Sequence, residues 1–331
     1  MKLLMYNAQS YEQANFDRLA EENGVQIDMV DVPLSKDTVD LANGYDAITV
    51  QQHSPIPDEI VYQKLSSFGI KQISLRTTGF EIINFEAAKE SDIKITNVPA
   101  YSPRSVSELV LADVMALLRH LKEVHNRQLK NDFCWDGIQA KEIHNLTVGI
   151  IGAGTIGSAV ARIFRALGAT VLVADPIERT DLYDTVEYVT YDHLLANSDV
   201  VTMHTPLTKE MEHFMNYDRF KKMKNDAIFI NASRGGVVDT DALLSALKVG
   251  EIGAAGIDVF EGEETISGIN LGSSGYDNEN LDELIQMDNV LVTPHIGFYT
   301  DAAVANMDKF ATEDAISIYQ GKQPKHLVEF E

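Results

Sequence analysis

The sequence has 331 residues, of which 45% are hydrophobic, and it can therefore form two domains with separate cores. Its 50 acidic residues outnumber its 27 basic residues, and the net charge of −23, without an evident basic stripe, argues against a nucleic-acid partner. The one cysteine, Cys134, excludes an intrachain disulfide and is typical of a reducing compartment.

Several other classes of protein lack support in the sequence. The first residues, MKLLMYNAQSYEQ, contain too short an apolar run for a signal peptide, and no later stretch is apolar enough to span a membrane. No P-loop, GxSxG motif or zinc-ligand spacing occurs, which argues against kinase, hydrolase and metalloenzyme classes. Cys134, beside Trp135, lacks a basic partner and is expected to pack rather than react. We therefore predict a cytoplasmic protein without a metal ion.

The first hundred residues alternate short apolar runs with segments of helical spacing, such as 11–22 and 59–68. Strands that alternate with helices indicate a parallel sheet. Because this part contains no glycine fingerprint, we assign residues 1–100 to a substrate domain rather than to a nucleotide domain. The predicted strands are 2–6, 27–30, 47–50, 71–75 and 94–98.

The loop after the fourth predicted strand is a candidate ligand site. It contains Thr78 and Gly79 and lies at the carboxyl end of the strand, where open parallel sheets bind ligands. The two backbone amides could hold a carboxylate, and a simple turn between strand and helix is an equal alternative.

Residues 97–103 contain two prolines and predict a hinge between domains. Ser102 or Ser105 is expected to cap one long helix that extends to residue 121 and has a broad apolar face. Such a face must be covered by its own domain or by a second subunit, and the length of the face favours a dimer.

The middle of the chain contains the most specific motif, the sequence GAGTIG at 152–157. A short apolar run precedes it, a helical pattern follows, and a second β-branched run ends at Asp175. Gly152 permits the tight turn, Gly154 lets the backbone approach a pyrophosphate, and Gly157 lets the helix pack on the strand. Asp175 would bind the ribose hydroxyls and repel a 2′-phosphate, so we predict a dinucleotide site that prefers NAD to NADP.

Three polar residues come shortly after successive predicted strands: Arg234 after AIFINAS, Glu263 after GIDVF, and His295 after VLVTP. Strand ends of a doubly wound sheet face one crevice, so we expect them to converge on the nicotinamide. His295 would donate a proton to the carbonyl oxygen, Glu263 would orient the imidazole and favour its charged form, and Arg234 would bind the substrate carboxylate. His204 is expected near the cofactor. For Asp258, ribose binding, support of the histidine and capping of a loop are alternatives.

The end of the chain completes the predicted domain plan. Residues 262–288 read as a long surface excursion without a core element, and a last helix from Thr300 is expected to cross back to the first domain. The predicted fold is α/β with two parallel-sheet domains. A doubly wound Rossmann NAD-binding domain, 101–298, is inserted in a flavodoxin-like substrate domain made of 1–100 and the return helix 299–331.

Taken together, these motifs resemble the D-isomer-specific 2-hydroxyacid dehydrogenases over nearly the whole chain. The resemblance implies Arg234, Glu263 and His295 as the catalytic set, with Glu263 rather than Glu264, and a homodimer built on the nucleotide domains. The motifs that carry it are YSP at 101–103, GAGTIG at 152–157, NASRG at 231–235, GIDV at 256–259 and TPH at 293–295.

The resemblance also extends the list of predicted contacts. The predicted cofactor-binding residues are Gly152, Gly154, Thr155, Ile156, Gly157, Asp175, His204, Thr205, Pro206, Ala232, Ser233, Arg234 and Asp258. The predicted substrate-binding residues are Gln51, Thr78, Gly79, Tyr101, Arg234, His295 and Phe298.

Two cues leave the preferred substrate open. Gln51 stands where lactate-reducing members often have an aromatic wall residue, which would widen the pocket, whereas Phe298 is similar to those members. We predict NADH-dependent reduction of pyruvate to D-lactate, with larger 2-keto acids such as phenylpyruvate or 2-ketoisocaproate as the alternative. An NAD-sensing binding protein is an alternative of another class, because corepressors similar to this family retain the same residues.

Overall fold

The computed structural model describes residues 1–329, and the chain forms two compact units. One unit consists of Met1–Ser102 and Tyr299–Glu331, and the other of Pro103–Phe298. The predicted divisions lie after residues 100 and 298. The last two residues of the expected segment 299–331 lie outside the described residues.

Twelve strands and eleven α-helices make up the described part of the chain. The strands are β1 Lys2–Tyr6, β2 Gln26–Met29, β3 Ala47–Val50, β4 Gln72–Leu75, β5 Lys94–Thr96, β6 Thr147–Ile151, β7 Thr170–Ala174, β8 Glu187–Tyr188, β9 Val200–Met203, β10 Ile228–Asn231, β11 Ala254–Ile257 and β12 Val290–Val292. The helices are α1 Gln13–Asn23, α2 Glu59–Ser67, α3 Phe85–Glu90, α4 Pro103–Leu118, α5 Leu121–Leu129, α6 Thr155–Ala166, α7 Tyr191–Asn197, α8 Tyr217–Phe220, α9 Thr240–Val249, α10 Glu279–Gln286 and α11 Asp301–Tyr319.

The first unit is built on a five-stranded parallel sheet with the strand order β2-β1-β3-β4-β5. This is the order of flavodoxin-like sheets. Every residue of β3 and β4 is buried, as expected for parallel strands that are covered on both faces. The last helix, α11, packs on β3, β4 and α1 and so belongs to this unit.

The second unit is built on a seven-stranded parallel sheet with the order β12-β11-β10-β9-β6-β7-β8. From β6 the chain proceeds outward through β7 and β8, and then returns to place β9 on the other side of β6. Open α/β sheets bind ligands at the carboxyl ends of the strands that flank such a reversal. The predicted α/β class with two parallel-sheet domains, one of them of Rossmann type, is confirmed.

The expectation of one long helix after the proline-rich segment is wrong, and of the two expected caps only Ser102 directly precedes the first helix. There are two helices, because His120 has a left-handed φ of 51° that ends the first before α5 begins. Ser105 is not a cap: it lies inside α4, and its Oγ donates to the carbonyl of Gly297 at 2.6 Å. The apolar face of α4 packs on α6, β10 and β11 of its own unit and therefore does not require a second subunit.

Two further local expectations are wrong. The segment 262–288 contains a core element, α10, whose Leu281 and Leu284 are buried in the second unit. The three-residue spacing of these leucines is the helical signal that its polar surroundings concealed. Cys134 is exposed rather than packed, and the neighbouring Trp135 has 82% of its surface exposed.

Within residues 1–329, every helix is either too short or too polar to cross a bilayer. The same part of the chain contains no group of three His, Cys, Asp or Glu side chains arranged to hold a metal ion.

A buried ionic cluster lies at the end of β4 in the first unit. Arg76 is fully buried, and its Nε lies 3.2 Å from Oε1 of Glu12 and 3.6 Å from Oδ1 of Asp308. Its Nη1 donates to Oγ1 of Thr49 at 2.7 Å, and its Nη2 donates to the carbonyl of Tyr6 at 3.2 Å. Burial raises the pKa of Asp308 to about 8, with Arg76 opposing this shift and Glu12 adding to it. Asp308 thus retains its proton near neutral pH beside the ion pair of Arg76 with Glu12.

Candidate active site

The glycine-rich turn connects β6 to α6, which begins at Thr155. Gly152 has a left-handed φ of 91°, and a Cβ there would lie 2.6 Å from the carbonyl oxygen of His204. A Cβ on Gly157 would collide with the carbonyl oxygen of Gly152, so only glycine lets the helix approach this closely. Around Gly154, by contrast, no described atom other than those of Gly154 and its two chain neighbours lies within 4 Å of the Cβ position. Two glycines therefore fit tight packing, and the third leaves room for a ligand at the N-terminus of α6.

Two buried polar atoms beside this turn have no hydrogen-bond partner among residues 1–329: Nδ1 of His204 and Oγ1 of Thr205. The other ring nitrogen of His204, Nε2, is 2.9 Å from Oγ1 of Thr202. Burial lowers the pKa of His204 to about 3, so the ring is neutral at physiological pH. Because buried polar atoms are seldom left unpaired, these two are suited to bind a polar ligand in the turn.

Asp175 follows β7 and is fixed next to the glycine turn. Its Oδ2 accepts a hydrogen bond from the amide of Ala153 at 2.6 Å, and its Oδ1 accepts one from the amide of Ile177 at 2.7 Å. Arg179, the nearby cation, donates to both carboxylate oxygens of Asp181 at 3.1 and 3.0 Å. The acid expected to bind ribose is thus held at the turn, and the charge of Arg179 is balanced by Asp181. Together with the open turn and the unpaired atoms, this arrangement fits a dinucleotide.

Arg234 follows β10 in a loop that Asn231 organises. Nδ2 of Asn231 donates to the carbonyl of Arg234 at 2.9 Å, and its Oδ1 accepts from the amide and the hydroxyl of Ser233 at 3.2 and 2.9 Å. Nη1 of Arg234 donates to the carbonyl of Ser233 at 2.8 Å. A Cβ on Gly235 would collide with the backbone of Phe260, so this loop lies directly against the loop that follows β11.

Glu263 and His295 form a pair at the ends of two adjacent strands, β11 and β12. Oε1 of Glu263 lies 3.1 Å from Nδ1 of His295, and the two side chains are 13% and 22% exposed. A carboxylate oxygen accepts, which assigns the donor role in this contact to Nδ1 and leaves Nε2 as the ring nitrogen that Glu263 does not contact. His295 has a left-handed φ of 56°, which is uncommon outside glycine and must be held by its surroundings.

Asp258 holds the loop that carries His295. Its Oδ1 accepts from Oγ1 of Thr293 at 2.6 Å and from the amide of Ile296 at 2.8 Å, and its Oδ2 accepts from the amide of Gly297 at 2.8 Å. Its carbonyl accepts from the amide of His295 at 2.8 Å. Of the three alternatives for Asp258, capping of a loop is therefore the one with direct contacts, and the capped loop carries His295, while the expected contact of Asp258 with the cofactor stays a prediction.

The remaining predicted residues of the second unit lie at the same edge of its sheet. Thr205 and Pro206 come shortly after β9, and Ala232 and Ser233 directly follow β10. The ring of Phe298 lies edge-on to the imidazole of His295, with the ring centroids 6.2 Å apart. The catalytic roles and the contacts with cofactor and substrate remain predictions for all of them.

The predicted substrate residues of the first unit lie at the carboxyl ends of their own strands. Gln51 directly follows β3, while Thr78 and Gly79 come shortly after β4. Oγ1 of Thr78 donates to the carbonyl of Val98 at 2.8 Å, which fixes the loop to the proline-rich segment. The carbonyl of Tyr101 accepts from the side chain of Asn306 at 2.7 Å.

Comparison with known proteins identifies the family. Residues 111–297 match the model of the D-isomer specific 2-hydroxyacid dehydrogenase, NAD binding domain. The D-lactate dehydrogenase of Lactiplantibacillus plantarum is 38% identical to this chain over 93% of each protein. The chain belongs to the D-isomer-specific 2-hydroxyacid dehydrogenase family.

Solved structures agree with this assignment over the whole dehydrogenase. The crystal structure of D-lactate dehydrogenase with NAD⁺ from Lactobacillus jensenii has a TM-score of 0.92 and 36% identity and covers 100% of both chains. The structure of D-2-hydroxyisocaproate dehydrogenase has a TM-score of 0.93 and 33% identity and covers 99% of both chains. The protein is thus an NAD-dependent enzyme that acts on 2-hydroxyacids, which decides against the alternative of a binding protein.

Two buried side chains near the site of this dehydrogenase have no role in the sequence-based predictions. Asn231 lies in the NASRG motif and holds the Arg234 loop, and an amide that both donates and accepts at a strand end could have indicated this role. Asp113 is buried on the apolar face of α4, between Val110 and Leu117. A carboxylate at a core position of an apolar helix was the signal for the second residue.

Proposed function

We propose that this dehydrogenase reduces pyruvate to D-lactate with NADH in the cytoplasm and also catalyses the reverse reaction. The observation that carries this proposal is the contact of 3.1 Å between Glu263 and His295, which follow β11 and β12, the two strands beside the one that Arg234 follows. The name of the Lactiplantibacillus plantarum relative supports lactate as the product. The cytoplasmic setting rests on the single cysteine, Cys134, which is exposed and suits a reducing compartment.

Each of the three side chains has a distinct task in this reaction. Bound NADH supplies the hydride for the keto carbon, and negative charge then builds on the carbonyl oxygen. His295 gives a proton to that oxygen through Nε2, while Glu263 holds Nδ1 and stabilises the imidazolium before transfer. Arg234 binds the substrate carboxylate with its planar fork of donors and so orients the keto carbon.

Larger 2-keto acids are the second candidate substrates. They are favoured by Gln51, a polar residue directly after β3 where lactate-reducing members often have an aromatic residue, and by the likeness to D-2-hydroxyisocaproate dehydrogenase. Pyruvate is favoured by Phe298, whose ring packs edge-on to His295 and occupies space beside the proposed proton donor. We give Phe298 more weight, because its ring is adjacent to the reacting groups.

A panel of keto acids tests this function. We expect NADH oxidation with pyruvate, phenylpyruvate and 2-ketoisocaproate, with the highest kcat/KM for pyruvate and D-lactate as the product on a chiral column. A higher kcat/KM for the bulky keto acids would replace pyruvate by the second candidates. Negligible oxidation with every keto acid, or an L-product, would contradict the proposal.

Asp175→Ala is expected to narrow the preference for NADH over NADPH by about tenfold. This factor corresponds to the loss of one hydrogen bond to a charged group, about 1.5 kcal/mol, together with the loss of repulsion toward a 2′-phosphate. The ratio of kcat/KM for the two cofactors is the measurement. Asp184→Ala, a change at an exposed aspartate beyond β7, is the control and should leave the ratio unchanged. An unaltered ratio in Asp175→Ala would refute the proposed role in cofactor selection.

We also propose a homodimer built on the unit Pro103–Phe298. Leu129, Phe133 and Trp135, which end or follow α5, expose 71%, 73% and 82% of their surfaces. Nη1 of Arg127 donates to the carbonyls of Cys134 and Asp136, which holds this segment in place. A contiguous set of large apolar side chains this exposed is typical of a protein–protein interface.

Replacing Phe133 and Trp135 together by serine is expected to convert the dimer to a monomer. Light scattering after size exclusion should give twice 36.7 kDa for the wild type and a value approaching 36.7 kDa for the double variant at micromolar concentration. Tyr319→Ser, a change at a half-exposed aromatic residue of the other unit, should leave the mass unchanged. A monomeric wild type would disprove the dimer.

A further inference from the structure

Asp113 is a buried acid in the middle of α4, with 6% of its surface exposed. Its carboxyl group packs against β11, where its Oδ2 lies 3.3 Å from the position that a Cβ on Gly256 would take. Asp258 directly follows β11, and its Oδ2 lies 2.8 Å from the position that a Cβ on Gly297 would take, a position that side chains of α4 also contact. The acid on α4 therefore lies near the acid that holds the His295 loop.

The same helix also contacts this loop directly. Oγ of Ser105 donates to the carbonyl of Gly297 at 2.6 Å. Side-chain carbons of Val106 and Leu109 lie 3.6 Å from the position that a Cβ on Gly297 would take. One face of α4 thus covers both Asp258 and the loop whose amides Asp258 binds, and a displacement of α4 would loosen the loop.

The electrostatic surroundings favour a proton on Asp113. Burial raises the pKa of Asp113 to about 7, and the negative charge of Asp258 adds to this shift. Strands β10, β11 and β12, which pack on α4, contain no titratable side chain, and Arg104 and Glu108 of α4 pair with each other on the surface. The charged or titratable side chains of α5 and α6 are exposed or bound to other groups: Lys122, Glu123, His125, Arg127, Arg162 and Arg165.

We propose that Asp113 is a positioning residue, which keeps the His295 loop in place through a proton held on its carboxyl group. As a neutral acid it lies beside Asp258 without repelling it. Loss of the proton puts a second negative charge into the same buried space, so that α4 and Asp258 are driven apart and the amides of Ile296 and Gly297 lose their acceptor. The consequence for catalysis rests on the proposed role of His295 as proton donor.

Asp113→Asn tests the proposal, because asparagine has nearly the shape of the neutral acid and cannot ionise. The first measurement is hydrogen exchange of the Ile296 and Gly297 amides from about pH 6 to about pH 9, corrected for the intrinsic rate at each pH. In the wild type we expect protection to fall as pH rises through about 7, and in Asp113→Asn we expect it to persist. Constant wild-type protection across this range would overturn the proposal, whether or not the variant folds.

The sign of the stability change follows from the same proton. Asp113 binds its proton more tightly in the folded state than in the unfolded chain, where an aspartate titrates near about pH 4. The free energy of unfolding of the wild type therefore falls, compared with that of Asp113→Asn, as pH rises from about 4 through about 7. The difference in Tm between the two proteins should be smallest near about pH 4 and constant above about pH 8. A difference that does not vary with pH would count against a buried, titrating Asp113.

The second measurement is the pH profile of keto-acid reduction. We expect the alkaline fall in kcat to move to higher pH in Asp113→Asn, with kcat and KM near wild-type values at about pH 6. The matched control is Asp218→Asn, at an exposed aspartate of the same unit, which should keep the wild-type profile. If the wild type loses amide protection at high pH but its pH profile of kcat is the same as that of Asp113→Asn, the positioning role is overturned. A wild type without turnover would reject the proposed function, while the exchange experiment would still decide whether Asp113 holds the loop.

Discussion

Replacing His295 with glutamine is expected to lower kcat for keto-acid reduction by about 10²- to 10⁴-fold, the usual contribution of a general acid. Glutamine is polar and similar in reach, but it cannot transfer a proton near neutral pH. NADH binding should be retained, because the predicted cofactor contacts at the glycine turn and Asp175 are separate from the β12 loop. Steady-state kinetics and titration of NADH fluorescence measure the two effects.

The matched control for this change is His326→Gln. The imidazole of His326 also binds a carboxylate, with its Nδ1 2.7 Å from Oδ2 of Asp314, but it lies in the other unit and follows no predicted catalytic strand. We expect this variant to keep kcat within about threefold of the wild type, a difference of less than about 1 kcal/mol. If His295→Gln also stays within that range, His295 is not the proton donor.

Arg76→Met is expected to destabilise the unit built on the five-stranded sheet by about 3–5 kcal/mol, the usual cost of removing one partner from a buried ionic cluster. The change leaves Glu12 buried without its cation and leaves the hydroxyl of Thr49 without its charged donor. Methionine fills part of the space, so the loss of charge rather than of volume is tested. Urea unfolding followed by circular dichroism gives the free energy of unfolding.

Two controls separate the buried charge from general damage. Arg18→Met removes a half-exposed arginine whose Nη1 is 4.0 Å from Glu22, and it should cost no more than about 1 kcal/mol. The double variant Arg76→Met with Glu12→Gln removes both charges and should recover part of the lost stability. Equal losses for Arg76→Met and Arg18→Met would show that the cluster contributes little to folding.

The sheets could be predicted from the sequence because buried parallel strands are short apolar runs. Side chains that bind ligands follow the carboxyl ends of such strands. The observed β1 and β3 begin where the runs predict, and the glycine turn and Asp175 lie beside each other as the fingerprint requires. The same logic placed Arg234, Glu263 and His295 at adjacent strand ends. Their pairing through Nδ1 depends on loop conformation, which the spacing of apolar residues does not encode.

The structural features that could not be predicted from the sequence depend on contacts between distant residues or on unusual backbone angles. The break between α4 and α5 follows from a left-handed histidine, His120, whose neighbours continue a helical pattern. The environment of Asp113 is created by Gly256, which is far away in sequence and has no side chain of its own to fill the space. The role of Asp258 stayed open for the same reason, since its partners follow a different strand.

Asp258 holds the His295 loop as a clamp, in which its carboxylate accepts hydrogen bonds from the backbone amides of Ile296 and Gly297. This use of backbone amides has a consequence for changes of substrate by protein engineering. The amide of Ile296 binds the clamp whatever side chain residue 296 carries, and the present side chain is 39% exposed. At Gly297 a Cβ would lie 2.8 Å from Oδ2 of Asp258, so that position accepts no other residue without breaking the clamp. Libraries that vary residue 296 while fixing residue 297 should therefore alter the surface next to the proposed proton donor without releasing its loop.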